Sequence, residues 1–256
     1  MRLVVATGNA HKQKEIKRIF SLPGLEVLAK DDFSAWPEWE ETGADYYENA
    51  LIKAKAIFQA FGLPAIADDS GLEVDHLRGR PGLFSARYSG LEGDYQANND
   101  KLLGELRDVP RSLRTARFVC VALCLVNEKD VVQARGVCEG HIALGFRSPA
   151  ENRLGRSKLE NAAQSPGCKA DEARDEGTYV QLRDRTEGEE NAADGVFGRA
   201  SNGAGGFGYD PIFIPRGHDR SMAELSAAEK DVISHRGNAL TELADKLETY
   251  MSNHVG

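Results

Sequence analysis

The amino-acid sequence predicts a mixed α/β fold built around one β-sheet. In the first part of the chain, short apolar runs typical of strands alternate with amphipathic segments typical of helices. In the middle, two strand-like runs, 116–126 and 131–136, follow each other across a short polar turn. Alternating helices and strands, followed by strands that pair directly, predict a mixed sheet with helices packed against it.

Hydrophobic spacing defines the first elements in chain order. Residues 1–9 and 25–28 are predicted strands, and the helix predicted between them, 12–20, places its apolar side chains on one side. A polar loop over 31–41 leads to a longer helix over 45–61, in which good helix formers fill the positions between large apolar residues.

The later elements are a short strand over 65–67 and helices over 98–107 and 238–250. From about 146 to 203 large apolar residues are few and no periodicity is sustained, which is typical of a solvated segment. We therefore predict a single domain over 1–256 that carries a surface insertion at about 146–203.

Composition excludes several classes of function. A formal net charge of −8 argues against binding of nucleic-acid backbone, although a local basic pocket can still hold a small anion. No apolar run is long enough to span a bilayer, and the N-terminus lacks a signal-peptide pattern. The cysteines lack the paired spacing of a zinc site, and Cys120 and Cys124 fall in a predicted strand. We expect a cytoplasmic protein with free thiols and with neither a nucleic-acid nor a membrane partner.

The run Ile66–Asp75 is the most informative segment. Its apolar strand is predicted to end at Asp68 and Asp69, which places two carboxylates, followed by Ser70, at the rim of the sheet. Carboxylates in such a position bind divalent cations or accept protons. Two adjacent acids repel each other unless a cation or hydrogen-bond donors compensate them.

The first strand breaks at Thr7-Gly8-Asn9 and is followed by a helix that carries Lys12. A glycine turn, a helix N-terminus and a lysine together suit a phosphate group. An ordinary turn in which Asn9 caps the helix is the alternative, because the spacing does not match a P-loop. Beside the acidic pair, this turn favours an enzyme that acts on a phosphorylated substrate with a divalent metal.

Further polar clusters each have two interpretations. The segment Phe207–Asp210 suits either an aromatic loop that stacks on a nucleobase or a tight turn with its rings in the core. His235 and Arg236 either lie on the surface or donate to carbonyl oxygens of a base. Glu41 fits a solvated loop, and Glu48 with Lys53 fits a surface pair on a helix.

These clusters occur together in an order and spacing that resemble the inosine triphosphate pyrophosphatase family. The matching strings are Ala6-Thr-Gly-Asn-Ala-His-Lys12, Glu41-Thr-Gly43, Glu48-Asn-Ala50 with Lys53, Ala67-Asp-Asp-Ser-Gly-Leu-Glu-Val-Asp75, Pro81-Gly82, Ser85-Ala-Arg-Tyr88, Ala116-Arg-Phe118, Gly205-Gly-Phe-Gly-Tyr-Asp-Pro-Ile-Phe213, Ala223-Glu-Leu225, Lys230 and Ile233-Ser-His-Arg-Gly237. The resemblance covers almost the whole chain outside the predicted insertion.

The resemblance implies a two-lobed α/β fold with an elongated mixed sheet, a central substrate cleft and a homodimer. It implies Mg²⁺-dependent hydrolysis of ITP, dITP and XTP to the monophosphate and pyrophosphate, which removes deaminated purines from the nucleotide pool. A pyrophosphatase of different base preference and a catalytically silent nucleotide-binding protein are the alternatives.

The resemblance also implies roles for individual residues. Asp69 is the expected proton acceptor and, with Glu41, holds Mg²⁺, while Glu48 and Asp68 are further candidates near the metal. The residues expected to contact the triphosphate are Thr7, Gly8, Asn9, Ala10, His11, Lys12 and Lys53. Ser70 is expected to contact the substrate near the metal. The nucleoside pocket is expected to comprise Phe207, Gly208, Tyr209, Asp210, Lys230, His235 and Arg236.

Overall fold

The computed structural model describes residues 2–20, 24–146 and 206–254. These residues contain a six-stranded sheet with the strand order β2-β1-β3-β4-β5-β6. The strands are β1 (Arg2–Val5), β2 (Glu26–Leu28), β3 (Ala65–Val74), β4 (Thr115–Leu125), β5 (Val131–Ile142) and β6 (Phe213–Pro215). β1 runs parallel to β2 and β3, whereas all later neighbours are antiparallel, so the predicted mixed sheet is confirmed.

Helices cover both faces of this sheet. The α-helices of the described residues are α1 (Ala10–Ile19), α2 (Tyr46–Phe61), α3 (Tyr95–Glu105), α4 (Ala227–Ile233) and α5 (His235–His254). α4 was not predicted from the sequence, and α5 begins at His235, three residues before its predicted start at Asn238. The available signal for α4 was a capping box, in which Ser226 and Glu229 satisfy each other's backbone N–H groups.

Side-chain alternation along the strands gives the sheet two apolar faces. On one face, alternate residues of β1, β3 and β4 pack with α1 and α5 around Leu3, Ile66 and Leu243. On the other face, the intervening residues pack with α2 around Val4, Ala67 and Ile57. Successive residues of a strand point to opposite faces, so one strand supplies side chains to both cores.

β3 is longer than the sequence suggests. Its predicted end at Ala67 is wrong, because the strand continues to Val74 and pairs with β4 over its whole length. Asp68 and Asp69 therefore lie inside a buried strand and not at the rim of the sheet. The strand tolerates them because each carboxylate meets positively charged groups on its own face.

Two other sequence expectations have definite outcomes. β5 extends six residues beyond the predicted end at Gly136, since it pairs with β4 as far as Thr115. Cys120 and Cys124 are buried free thiols, as predicted, and burial raises the pKa of Cys124 to about 12. The predicted insertion at about 146–203 lies, apart from Phe146, outside the described residues. No helix in the described ranges is long and apolar enough to cross a membrane.

Candidate active site

The turn after β1 fixes the start of α1. Asn9 caps the helix, with its Oδ1 atom accepting from the backbone N–H groups of His11 at 2.9 Å and Lys12 at 3.2 Å. The Thr7 hydroxyl accepts from the Asn9 N–H at 3.2 Å. Asn9 therefore caps α1, and the cap places Lys12 in the first turn of the helix, close after Gly8 and Ala10 in the sequence. Phosphate binding at this turn stays a prediction.

Lys12 reaches the first acid of β3. Its Nζ atom lies 3.0 Å from Asp68 Oδ2, and Arg236 at the start of α5 donates to the same oxygen at 3.2 Å. Arg236 also donates to the Ser70 hydroxyl at 3.0 Å. Burial raises the pKa of Asp68, but Lys12 and Arg236 outweigh it and hold that pKa well below its usual range. Asp68 is thus an ionised anchor for two cations.

A second pair of carboxylates joins this cluster. Lys230 on α4 donates to Asp210 Oδ2 at 2.8 Å and to Glu15 Oε1 at 2.9 Å, while the other Glu15 oxygen accepts from Arg236. Burial lowers the pKa of Lys230, but Asp210 and Glu15 more than offset it and raise that pKa. Three cations and three carboxylates therefore balance on this face of β3.

The Phe207 ring is packed among these charged groups. Its centroid lies 4.9 Å from Lys230 Nζ and 5.7 Å from the Arg236 guanidinium carbon. The His11 ring stacks on it at 5.1 Å with 20° between the planes, and the Tyr95 ring lies 6.2 Å away at a tilt of 53°. The predicted phosphate segment and the predicted base loop therefore meet at one aromatic ring.

The opposite face of β3 carries a separate group of charges. Lys53 on α2 lies between two carboxylates, 2.9 Å from Glu41 Oε1 and 3.1 Å from Asp69 Oδ1. Asn49 donates to the other Asp69 oxygen at 3.2 Å. Burial raises the pKa of Glu41, but Lys53 outweighs it and lowers that pKa. Two carboxylates around one ammonium leave this group with an excess negative charge.

The two groups lie within electrostatic reach of each other. Lys12, which pairs with Asp68, contributes to lowering the pKa of Glu41 on the other side of the strand. Asp68 likewise contributes to raising the pKa of Lys53. The charges on the two faces of β3 therefore act on one another.

The chemistry of Glu41 and Asp69 fits a hard divalent cation. Both supply carboxylate oxygens, both approach one point that Lys53 Nζ fills, and the group has negative charge to spare. Within residues 2–20, 24–146 and 206–254 no three His, Cys, Asp or Glu side chains gather as a metal site. Two protein carboxylates are enough for Mg²⁺, which commonly keeps water and substrate phosphate as its other ligands.

Some predicted site residues lie apart from these groups. Glu48 accepts from the N–H of Ala44, which precedes α2, at 2.7 Å, and Tyr209 donates to the Ser85 carbonyl at 3.0 Å. Tyr209 is therefore a buried core residue, which is one of the two interpretations given above for the segment Phe207–Asp210. The Gly208 carbonyl accepts from Asn99. Among the described residues no hydrogen bond or ring contact joins Tyr209 to Phe207 or Glu48 to Asp69, and nucleotide contacts of Tyr209 and Glu48 stay predictions.

His235 is buried beside the charged cluster. Its ring stacks on Phe118 with centroids 4.7 Å apart and 13° between the planes. Its Nδ1 atom has no hydrogen-bond partner among the described residues. Burial, followed by the nearby charges of Arg236 and Lys230, lowers the pKa of His235 well below its usual value. The imidazole is therefore neutral at pH 7.

Three residues in or beside the two groups were not predicted from the sequence. Glu15 looks like one more surface charge on a charged helix, although it is next to the buried Ile16. Asn49 lies inside one of the matching family strings, which was the available signal. Tyr95 had no signal, because its contact with Phe207 joins distant segments of the chain.

Comparison with known proteins places the chain among its relatives. The sequence model of the Ham1 family matches residues 3–153 and 156–246. A dITP/XTP pyrophosphatase from Oceanobacillus iheyensis is 37% identical over 97% of this chain and 98% of its own length. One from Thioalkalivibrio sulfidiphilus is 39% identical over 97% and 99%, respectively.

Solved structures agree with the sequence comparison. The Ham1 protein of Staphylococcus aureus superposes with a TM-score of 0.68 at 31% identity, covering 98% of this chain and 100% of its own. A HAM1 protein from Coxiella burnetii gives a TM-score of 0.69 at 31% identity, covering 97% and 99%. The chain belongs to the Ham1 family.

Proposed function

We propose that this chain is a nucleoside triphosphate pyrophosphatase that hydrolyses ITP, dITP and XTP to the monophosphate and pyrophosphate. The names of its relatives support the reaction class and the purine substrates. The observation that carries the proposal is the pairing of Lys12 with Asp68 on one face of β3 and of Lys53 with Asp69 and Glu41 on the other. This arrangement offers two cations to a triphosphate and two carboxylates to the chemistry.

Asp69 suits the role of proton acceptor. Lys53 and Asn49 each hold one of its oxygens, so the carboxylate is fixed in place. In the proposed step a water oxygen bonds to the α-phosphorus while the bond from that phosphorus to the α,β-bridging oxygen breaks. Asp69 takes the proton of the water, and pyrophosphate leaves with the electron pair of the broken bond.

Glu41 and Asp69 would hold Mg²⁺, which neutralises part of the triphosphate charge when bound. Lys53 is placed to neutralise more of that charge from the α2 side. Lys12 is paired with Asp68 in this structure and lies on the first turn of α1, where the capped helix end also favours anions.

The base preference rests on hydrogen-bond polarity. ITP and XTP present a 6-oxo acceptor where ATP has a 6-amino donor. Donors from His235, Arg236 or backbone N–H groups beside the Phe207 ring, on which a purine can stack, would pair with that oxygen. Donors that face an amino group are left unpaired, which disfavours ATP. GTP shares the 6-oxo group, so its exclusion has to involve the 2-amino position.

Release of pyrophosphate from ITP, XTP, GTP, ATP and dTTP, with and without Mg²⁺, tests the proposal. We expect strong release from ITP and XTP that requires Mg²⁺, and weak release from the other three. Equal hydrolysis of all five would refute the base preference and support a pyrophosphatase of broader range. No release from any would favour a silent nucleotide-binding protein.

Three accompanying proposals rest on the resemblance and composition. We propose that the protein acts as a homodimer, that it is cytoplasmic, and that its reaction keeps deaminated purines out of the nucleotide pool. Sedimentation of the purified chain tests the first of these directly.

A further inference from the structure

Four side chains surround the Phe207 ring, and they differ in how firmly they are held. Lys230 is fixed by two carboxylates, and Arg236 is fixed by Asp68, Glu15 and Ser70. The hydroxyl of Tyr95 accepts a hydrogen bond of 3.4 Å from Asn9. A purine that stacks on Phe207 has to displace one of these four side chains. Lys230, Arg236 and Tyr95 are each held by a hydrogen bond or an ion pair.

His11 is the neighbour without a tether. Its side chain is exposed, and its ring has no hydrogen bond or ion pair to any described residue beyond the stack on Phe207. Its backbone is held by the Asn9 cap, so only rotation about its side-chain bonds is needed to move the imidazole. An exposed stack of two rings is a weak contact, and a purine can replace it.

We infer that His11 is a nucleobase-binding residue that exchanges its stack on Phe207 for a stack on the incoming purine. The imidazole leaves Phe207 when the base arrives and then covers the outer face of that base. This inference rests on the proposed function and changes the role of His11 from the phosphate contact suggested by its position in the sequence.

The geometry favours stacking over a charge contact with phosphate. The planes of His11 and Phe207 are already within 20° of parallel, so a flat ring can enter between them with little reorientation. The ring of His11 lies against the base loop, whereas Lys12, the next residue, points to Asp68. Of these two consecutive residues of α1, His11 is therefore placed to contact the base and Lys12 to contact the phosphates.

Three substitutions separate the two roles. His11→Ala removes the ring, His11→Phe keeps a stacking ring without a nitrogen, and His11→Lys keeps a cation without a ring. His254→Ala is the matched control, because His254 is an exposed histidine that stacks on Tyr250 at 4.3 Å on α5, outside the candidate site. Binding of ITP in Ca²⁺, to slow turnover, and of inorganic tripolyphosphate is measured by calorimetry.

We expect His11→Ala and His11→Lys to weaken ITP binding about tenfold, and His11→Phe to retain it within about twofold. Tripolyphosphate binding is expected to change little in His11→Ala, and His254→Ala should match the wild type. A loss in His11→Phe as large as in His11→Ala would overturn the inference. So would unchanged ITP binding in His11→Ala, or an equal loss for tripolyphosphate.

The same titration separates failure of this inference from failure of the proposed function. Wild-type protein that binds ITP while His11→Ala binds it equally well defeats the stacking role alone. Wild-type protein that neither binds nor cleaves ITP defeats the proposed function and, with it, this inference.

Discussion

Asp68 and Asp69 are consecutive, yet their carboxylates belong to different groups. Asp68 points to the α1 and α5 face, where Lys12 and Arg236 hold it, and Asp69 points to the α2 face, where it pairs with Lys53. Strand alternation thus removes the repulsion that adjacent acids would suffer at a common site. It also places Asp68 against the cations of α1 and α5 and Asp69, the acid for which we propose proton transfer, against α2.

His235 makes the stability of the protein depend on pH. Its pKa in the folded protein lies well below the ordinary value of 6.5, so below that pH the unfolded chain binds a proton that the folded chain does not. Stability should therefore fall as the pH drops below about 6.5. Between pH 7.5 and 5.5 we expect His235 to account for a loss of about 1.4 kcal/mol in the free energy of unfolding.

Urea unfolding of the wild type and of His235→Phe at the two pH values measures this contribution. The substitution keeps a ring to stack on Phe118 and removes the titrating group. The pH dependence should be smaller in the variant by about the amount given above. If both proteins lose the same free energy, His235 takes up its proton in the folded state and the burial argument does not hold.

At the scale of elements, close contact between α5 and β5 brings Arg236 and His235 to the site. Gly136 of β5 lies directly under α5, where an added Cβ atom would come within 2.0 Å of the His235 carbonyl oxygen and 2.5 Å of the Ala239 nitrogen. Both are backbone atoms, so the helix cannot yield locally. The absence of a side chain at Gly136 therefore sets the distance between this helix and the sheet.

We expect Gly136→Ala to lower the free energy of unfolding by about 1–3 kcal/mol, because the added methyl group overpacks the contact between α5 and β5. The matched control is Gly104→Ala inside α3, where an added Cβ atom meets nothing within 4 Å. That change should stabilise the protein by about 0.5–1 kcal/mol through the lower entropy of the unfolded chain. Equal stability of the two variants, measured by chemical unfolding, would contradict the packing account.

Over the whole molecule, the sequence predicted the mixed sheet and most helices, because hydrophobic spacing reports burial directly. It did not predict that β3 continues through Asp68 and Asp69, since the cations that permit this come from α1, α2 and α5. Glu15 and Tyr95 were missed for the same reason: their partners are distant in sequence. Family strings located Lys12, Lys53 and Phe207, but only the fold shows which face of β3 each one occupies.

The predicted insertion can be tested at the scale of the chain. The residues of both charged groups lie within 2–146 and 206–254, and the composition of 148–202 offers few large apolar side chains for a core. We therefore expect a chain in which a short flexible linker replaces 148–202 to keep most of its ITP turnover. Loss of turnover in a variant that still unfolds cooperatively would show that the segment contributes to the site.

The most direct test of the account is the initial rate of pyrophosphate release from saturating ITP and Mg²⁺ by the wild type and by Asp69→Asn. Asparagine has nearly the same shape as aspartate but cannot take the proton of water, and Lys53 still pairs with Glu41 in the variant. We predict a rate at least about a hundredfold lower with an unchanged circular dichroism spectrum. A near-normal rate in the folded variant would contradict the assignment of Asp69 and the account built on it.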